Sequence, residues 1–117
     1  MAFMLLIAEP AGQRAQRTQD EGRALYERML RFSGELQSRG VLRAAESLVS
    51  DAQATRVQIR NGEARVMDGP FAEAKEMIGG FLLLDVATEG EAVAIAKTCP
   101  AAEWCTVEVR EIGPCFL

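Results

Sequence analysis

The stretch Ala2-Phe3-Met4-Leu5-Leu6-Ile7-Ala8, closed by Glu9-Pro10-Ala11-Gly12, constrains everything that follows it. Successive side chains of a strand point to opposite faces. Phe3, Leu5 and Ile7 fall on one face, and Met4, Leu6 and Ala8 on the other. A strand over Met1–Ala8 is therefore apolar on both sides. The run is far shorter than the roughly 20 apolar residues a membrane-spanning helix needs. It also lacks the preceding basic residue of an export signal, and acidic Glu9 follows at once. Phe81-Leu82-Leu83-Leu84, at the head of a strand predicted over Phe81–Val86, is apolar on both faces too. Strands of this kind belong inside a sheet that is covered on both sides.

The intervening sequence supplies only one cover. Gln13–Gln19 is polar and loop-like. Thr18 is suited to cap a helix, with Glu21 three residues on to complete a capping box. Leu25, Met29, Phe32 and Leu36 then form one apolar stripe, and Gly40 is placed to end the helix. Val41–Val49 reads as extended. Thr55–Ile59 and Ala64–Met67 flank Asn61-Gly62, the preferred centre of a tight hairpin. Ala72–Met77 reads as one or two helical turns. Glu89–Thr98, with Val93 and Ala96 on one side, reads as a second helix stopped by Pro100. Trp104–Ile112 reads as a last strand, with Cys105, Val107 and Val109 on its apolar face.

This order approaches a ferredoxin-like β-α-β-β-α-β arrangement, an α+β sandwich on an antiparallel sheet. Two helices cover one face of such a sheet. The other face calls for a second copy packed sheet to sheet, making a homodimer; cover by the chain's own loops is the alternative.

Composition narrows the function. The 117 residues suit one domain over 1–117, and 49% hydrophobic with 26% charged residues is ordinary for a globular protein. The net charge is −4, with 11 of the 13 cations being Arg. That balance disfavours nucleic acid as a partner, and the interleaved charges of Asp20–Arg28 read as a solvated helix face. There is no histidine, which removes the commonest metal ligand and the usual proton carrier near neutral pH. Cys99, Cys105 and Cys115 form no CxxC pair and read as reduced cytoplasmic thiols. No dinucleotide fingerprint, phosphate loop or ligand cluster points to a cofactor or a metal.

Asp68-Gly69-Pro70-Phe71-Ala72-Glu73-Ala74-Lys75-Glu76, followed by Gly79-Gly80-Phe81, resembles the signature of the DGPF branch of the YCII-related family. Tyr26, Phe32, Gly40-Val41-Leu42, Glu46-Ser47-Leu48, Thr55-Arg56-Val57, Asn61-Gly62 and Val107-Glu108-Val109-Arg110 extend the resemblance over roughly residues 1–112. It implies a ferredoxin-like fold that dimerises through its sheets as a dimeric α/β barrel, a bacterial source, and a cleft beside the signature. Some relatives in the wider group resemble lyases or dehydrochlorinases that use a His–Asp pair. Without histidine, this chain cannot carry that mechanism over.

Two readings of the signature stay open. In one, Asp68 accepts backbone N–H groups in a turn, Gly69 takes an unusual backbone angle, Pro70 starts a short helix and Phe71 anchors it. In the other, Asp68 points into an apolar cleft and pairs with Glu46, one carboxylate serving as acid and the other as base. Arg56 would then hold an anionic group, and Tyr26, Phe71, Lys75 and Phe81 would line the cleft. Plainer roles exist: an Arg56–Glu46 ion pair, a core Tyr26, a surface Lys75, and Trp104 at a sheet edge or dimer seam. The functions that follow are a module binding a small molecule near Asp68, or a lyase or isomerase working through carboxylates.

Overall fold

A computed structural model describes residues 2–117; Met1, at the head of the expected first strand, lies outside the described residues. The chain forms β1 (Phe3–Pro10), α1 (Gln19–Ser38), β2 (Leu42–Ser47), β3 (Thr55–Arg60), β4 (Glu63–Asp68), β5 (Glu76–Leu84), α2 (Glu89–Thr98) and β6 (Thr106–Glu111). Short 3-10 turns at Arg14–Gln16, Asp51–Gln53 and Pro100–Glu103 join them. The main sheet has the order β2-β5-β1-β6, every neighbouring pair being antiparallel. β3 and β4 form a separate two-stranded hairpin.

The apolar strands take the central places. Phe3, Leu5 and Ile7 of β1 are buried, as are Leu82 and Leu84 of β5. They pack with Phe32 and Leu36 of α1 and with Ala92, Ile95 and Ala96 of α2 in one core. Both helices thus cover the same face. The opposite face carries Met4, Leu6, Ala8, Phe81 and Leu83, all half-buried. Among the described residues no helix is long and apolar enough to cross a membrane.

Local signals set the boundaries. Thr18 caps α1 through a reciprocal box with Glu21: the Glu21 N–H donates to Thr18 Oγ1 at 3.1 Å, and the Thr18 N–H donates to Glu21 Oε1 at 2.9 Å. Gly40 follows the helix at φ +73. Asn61 and Gly62 both take positive φ, 52° and 78°. That is the backbone a two-residue turn needs to match the twist of its strands.

Three expectations give way. The first strand does not stop at Ala8 but runs to Pro10, because Glu9 and Pro10 still face Met77 and Glu76 of β5. Residues 72–77 form no helix. One turn closes from the Ala74 N–H to the Phe71 carbonyl, and the Ala11 N–H then takes the Lys75 carbonyl, drawing the chain into β5. Gly69 does not adopt a positive φ; a Cβ there would run into the Asp51 carbonyl oxygen. Close approach, rather than backbone angle, accounts for that glycine.

The radius of gyration is 15.9 Å, where a compact chain of this length would have about 13 Å. The hairpin accounts for the difference. Val57, Ile59 and Val66 on it are 60–65% exposed, and the strand register puts them on one face.

Candidate functional site

The groove begins where α1 leaves the sheet. Its C-terminal half is anchored by buried Phe32 and Leu36. Its N-terminal half stands off, leaving Leu25 and Met29 half-buried and Tyr26 and Leu30 about half exposed, at 49% and 52%. The space beneath is a cavity of about 500 Å³, within the usual range for small-molecule sites. Leu25, Met29 and Leu30 wall it from α1, Ile7 and Leu82 from the sheet, and Trp104 from the chain before β6.

One end is charged. Glu9 continues the inward series Phe3, Leu5, Ile7, so the strand's alternation places a carboxylate in the core register; it is only 5% exposed. Arg14 turns back in the 3-10 turn after β1 and satisfies both oxygens. Its Nε donates to Oε1 at 2.7 Å and its Nη2 to Oε2 at 3.0 Å, while Nη1 donates to the Leu48 carbonyl at 2.8 Å. A buried charge is tolerable only when paired and hydrogen-bonded in this way.

Room for the pair comes from the facing strand. The β1–β5 register shifts between Ile7 and Ala8, where Gly79 has no partner. A Cβ at Gly79 would run into the Glu9 carboxylate and lie 3.1 Å from Arg14 Nη2. A Cβ at Gly80 would lie 2.8 Å from the Glu46 carbonyl oxygen. The Gly-Gly step of the signature therefore serves the floor of the groove.

Trp104 is held from two sides. The Gln13 side chain donates to its carbonyl at 2.7 Å. Arg28 lies 5.3 Å from the ring centroid and grips Glu103 with Nη1–Oε1 and Nη2–Oε2 distances of 3.3 and 2.6 Å. That pairing raises the Arg28 pKa and lowers that of Glu103. Burial, then the Glu9 charge, pushes the Cys105 thiol up to about 11, with Arg17 and Arg14 opposing. Burial also raises Cys99. Among the described residues no acid–thiol cluster is arranged to hold a metal.

The structure divides the expected site residues. Tyr26, Glu46 and Phe81 border the groove. Tyr26 sits at its lip. Glu46 and Phe81 are cross-strand partners in register with Leu6, which sets their side chains on the sheet face away from the helices. Arg56 stacks on Phe71, 3.7 Å from its ring centroid, and makes no ion pair with Glu46, which lies in the other sheet. Phe71 is half-buried rather than in the core. Asp68 is exposed at the end of β4, where its carboxylate accepts the Thr55 hydroxyl at 3.3 Å. Lys75 is exposed. A smaller cavity of about 250 Å³ lies beside Pro70 and Phe71 and shares Arg14 with the groove.

Glu9, Arg14, Arg17 and Trp104 are among the groove residues that the sequence reading did not assign to a site. Two signals were present: an acid on the core-facing register of an apolar strand, and a glycine pair able to face it.

The YCII-related domain matches residues 1–115, and the chain belongs to that family. The uncharacterized protein R00369 of Rhizobium meliloti (strain 1021) is 40% identical over 76 residues. The match takes in 63% of this chain and 61% of that protein, so the chain spans less than two thirds of its length. Among solved structures, the chain is similar to 5-chloro-2-hydroxyhydroquinone dehydrochlorinase from Burkholderia phenoliruptrix AC1100, in complex with 2,5-dihydroxybenzoquinone. The TM-score is 0.57 and the identity 14%, with 97% of this chain and 94% of that one covered. At that identity the likeness is one of fold: α+β, on an antiparallel sheet.

Removing one partner of a buried ion pair costs about 3–5 kcal/mol, while replacing both with apolar groups costs far less. Arg14→Met is therefore expected to lower stability strongly in urea titrations, and Glu9→Leu added to it to restore much of the loss. At pH 8 a thiol with a pKa near 11 is about one part in a thousand thiolate. Exposed Cys115 should thus react with a disulfide reagent well before Cys99 or Cys105, as peptide mapping would show.

Proposed function

We propose that the chain binds a small molecule in the groove between α1 and the sheet. The observation that carries this reading is the groove itself, a cavity of about 500 Å³ with apolar walls and a buried, fully paired charge at one end. Such concave, mostly apolar sites with a few fixed polar groups are where small ligands bind. The dehydrochlorinase of similar fold, solved with a quinone, lends support. The site is placed beneath α1 rather than beside Asp68. The alternative of a lyase or isomerase pairing Asp68 with Glu46 gains nothing from the geometry, which keeps them in different sheets.

The proposal includes a homodimer packed sheet to sheet, in the manner of a ferredoxin-like, dimeric α/β-barrel assembly. With the β3–β4 hairpin set aside, the remaining elements run β-α-β-β-α-β in the order β2-β5-β1-β6. Met4, Leu6, Phe81 and Leu83 make the centre of the uncovered face apolar, with Glu46, Glu108 and Arg110 around it. A patch of this composition is a favoured site for association.

Gly22 gives a test that separates binding from folding. It lines the groove from within α1, and a Cβ there would meet nothing within 4 Å. Gly costs about 1 kcal/mol against other residues in a helix interior. Gly22→Leu is expected to hold or raise the melting temperature while abolishing ligand-induced shifts in a thermal screen of metabolites; unchanged shifts would place the site elsewhere. For the dimer, Leu6→Glu should convert the protein to a folded monomer by light scattering, and a dimer that persists would refute sheet-to-sheet packing.

A further inference from the structure

We infer that the groove takes a planar aromatic monoanion, with its charged group on Arg17 and its ring against Trp104 and Met29. This inference deepens the binding reading above and rests on it.

The charge count sets the first half. Three charged side chains meet at the polar end: Glu9, Arg14 and Arg17. Glu9 and Arg14 cancel in a pair that uses both carboxylate oxygens. Arg17 is half-buried and forms no ion pair among the described residues. Glu21, at the exposed start of α1, feels the Arg17 charge at a distance, but its carboxylate is turned to the Thr18 N–H and forms no ion pair with Arg17. Cys105 is a neutral thiol, and Glu46 belongs by register to the other face. Of the two guanidinium groups that line the groove, Arg17 is the one in no ion pair among the described residues. A guanidinium offers a planar fork of donors that fits a carboxylate or an acidic enol. A second negative group would find no further unpaired cation among the residues that line the groove, since Arg14 is committed to Glu9.

The walls set the second half. Arg28 lies over the Trp104 ring and Gln13 holds its backbone carbonyl, so the indole stands as part of the groove wall. Met29 is half-buried against the core and lines the same cavity. An indole and a thioether are polarisable surfaces that favour an aromatic ring over a saturated one. Leu25, Leu30, Ile7 and Leu82 complete an apolar slot; Glu46, the remaining charged residue of the lining, belongs by register to the other sheet face.

Trp104 is the only tryptophan in the chain, so its emission reports on the groove directly. The experiment titrates the full-length protein with benzoate, benzamide, terephthalate and cyclohexanecarboxylate, read by calorimetry and by Trp104 emission. Benzoate is expected to bind at least about tenfold more tightly than each of the other three. Arg17→Gln should bring benzoate down to the level of benzamide and leave benzamide unchanged. Gly22→Leu should abolish both. If benzamide matches benzoate, or Arg17→Gln leaves their ratio intact while Gly22→Leu still blocks binding, the ligand class is wrong and the groove stands. If benzoate binds and Gly22→Leu makes no difference, both readings fall.

Discussion

Glu9 is the only buried charged residue among those described, and much of the fold is arranged around keeping it there. A carboxylate taken out of water is destabilising by several kcal/mol unless its partner is close and well aligned. Arg14 can be that partner only if the chain doubles back directly after β1, which the 3-10 turn at Arg14–Gln16 achieves. The same turn delivers Thr18 as the cap of α1 and so fixes where the helix begins. Above the pair, β5 must present no side chain, and the register shift at Gly79 provides that gap. Arg14 also reaches the Leu48 carbonyl, tying the end of β2 to the same point. The groove is the space these constraints leave beneath the first half of α1.

The signature Asp68–Glu76 does its work at one remove from this centre. The Gly69 N–H donates to the Ala54 carbonyl at 2.8 Å, and the absent Cβ lets the Asp51 carbonyl approach. Arg56 on the hairpin stacks on Phe71 in the loop. The Lys75 carbonyl then takes the Ala11 N–H beside the turn that carries Arg14. The segment braces the hairpin to the sheet at one end and leads into the Gly79-Gly80 floor at the other. Its long, specific sequence is accounted for by these successive close approaches, with no demand that Asp68 act as an acid.

The parts of the fold legible in the sequence are those governed by local chemistry. Thr18 with Glu21, and Asn61 with Gly62, each contain their whole signal within four residues, and the structure uses both as read. Phe3–Ala8 and Phe81–Leu84, apolar on both faces in the sequence, occupy the two central strands of the sheet. The misreadings concern long-range partners. The expected helix after Pro70 lost to pairing of residues 76–78 with β1, which no local propensity reveals. Glu9 looked like the start of a turn because Pro10-Ala11-Gly12 follows it. Once β1 runs on to Pro10, the alternation of Phe3, Leu5 and Ile7 carries Glu9 inward, and the bulge in β5 makes room for it. The stripe Leu25, Met29, Phe32, Leu36 is continuous in sequence, yet only its second half is buried. Where a helix leaves a sheet depends on what lies between them, and here that is the Glu9–Arg14 pair.

The chemistry at the groove favours binding over proton transfer. Both oxygens of Glu9 accept from Arg14, which commits the carboxylate to the ion pair that allows its burial. The Cys105 thiol is pushed up to about 11, far from the range in which a nucleophile or base works at neutral pH. The chain holds no histidine to bridge the gap. What the groove does offer is an indole wall, an apolar slot and, in Arg17, a cation in no ion pair among the described residues. Preorganised surfaces of this kind lower the entropic cost of taking up a rigid ligand. The helix-side groove and the uncovered sheet face also lie on opposite sides of a single layer of strands. The proposed ligand site and the proposed dimer face therefore lie on opposite sides of β1 and β5, with Glu46 and Phe81 bordering both.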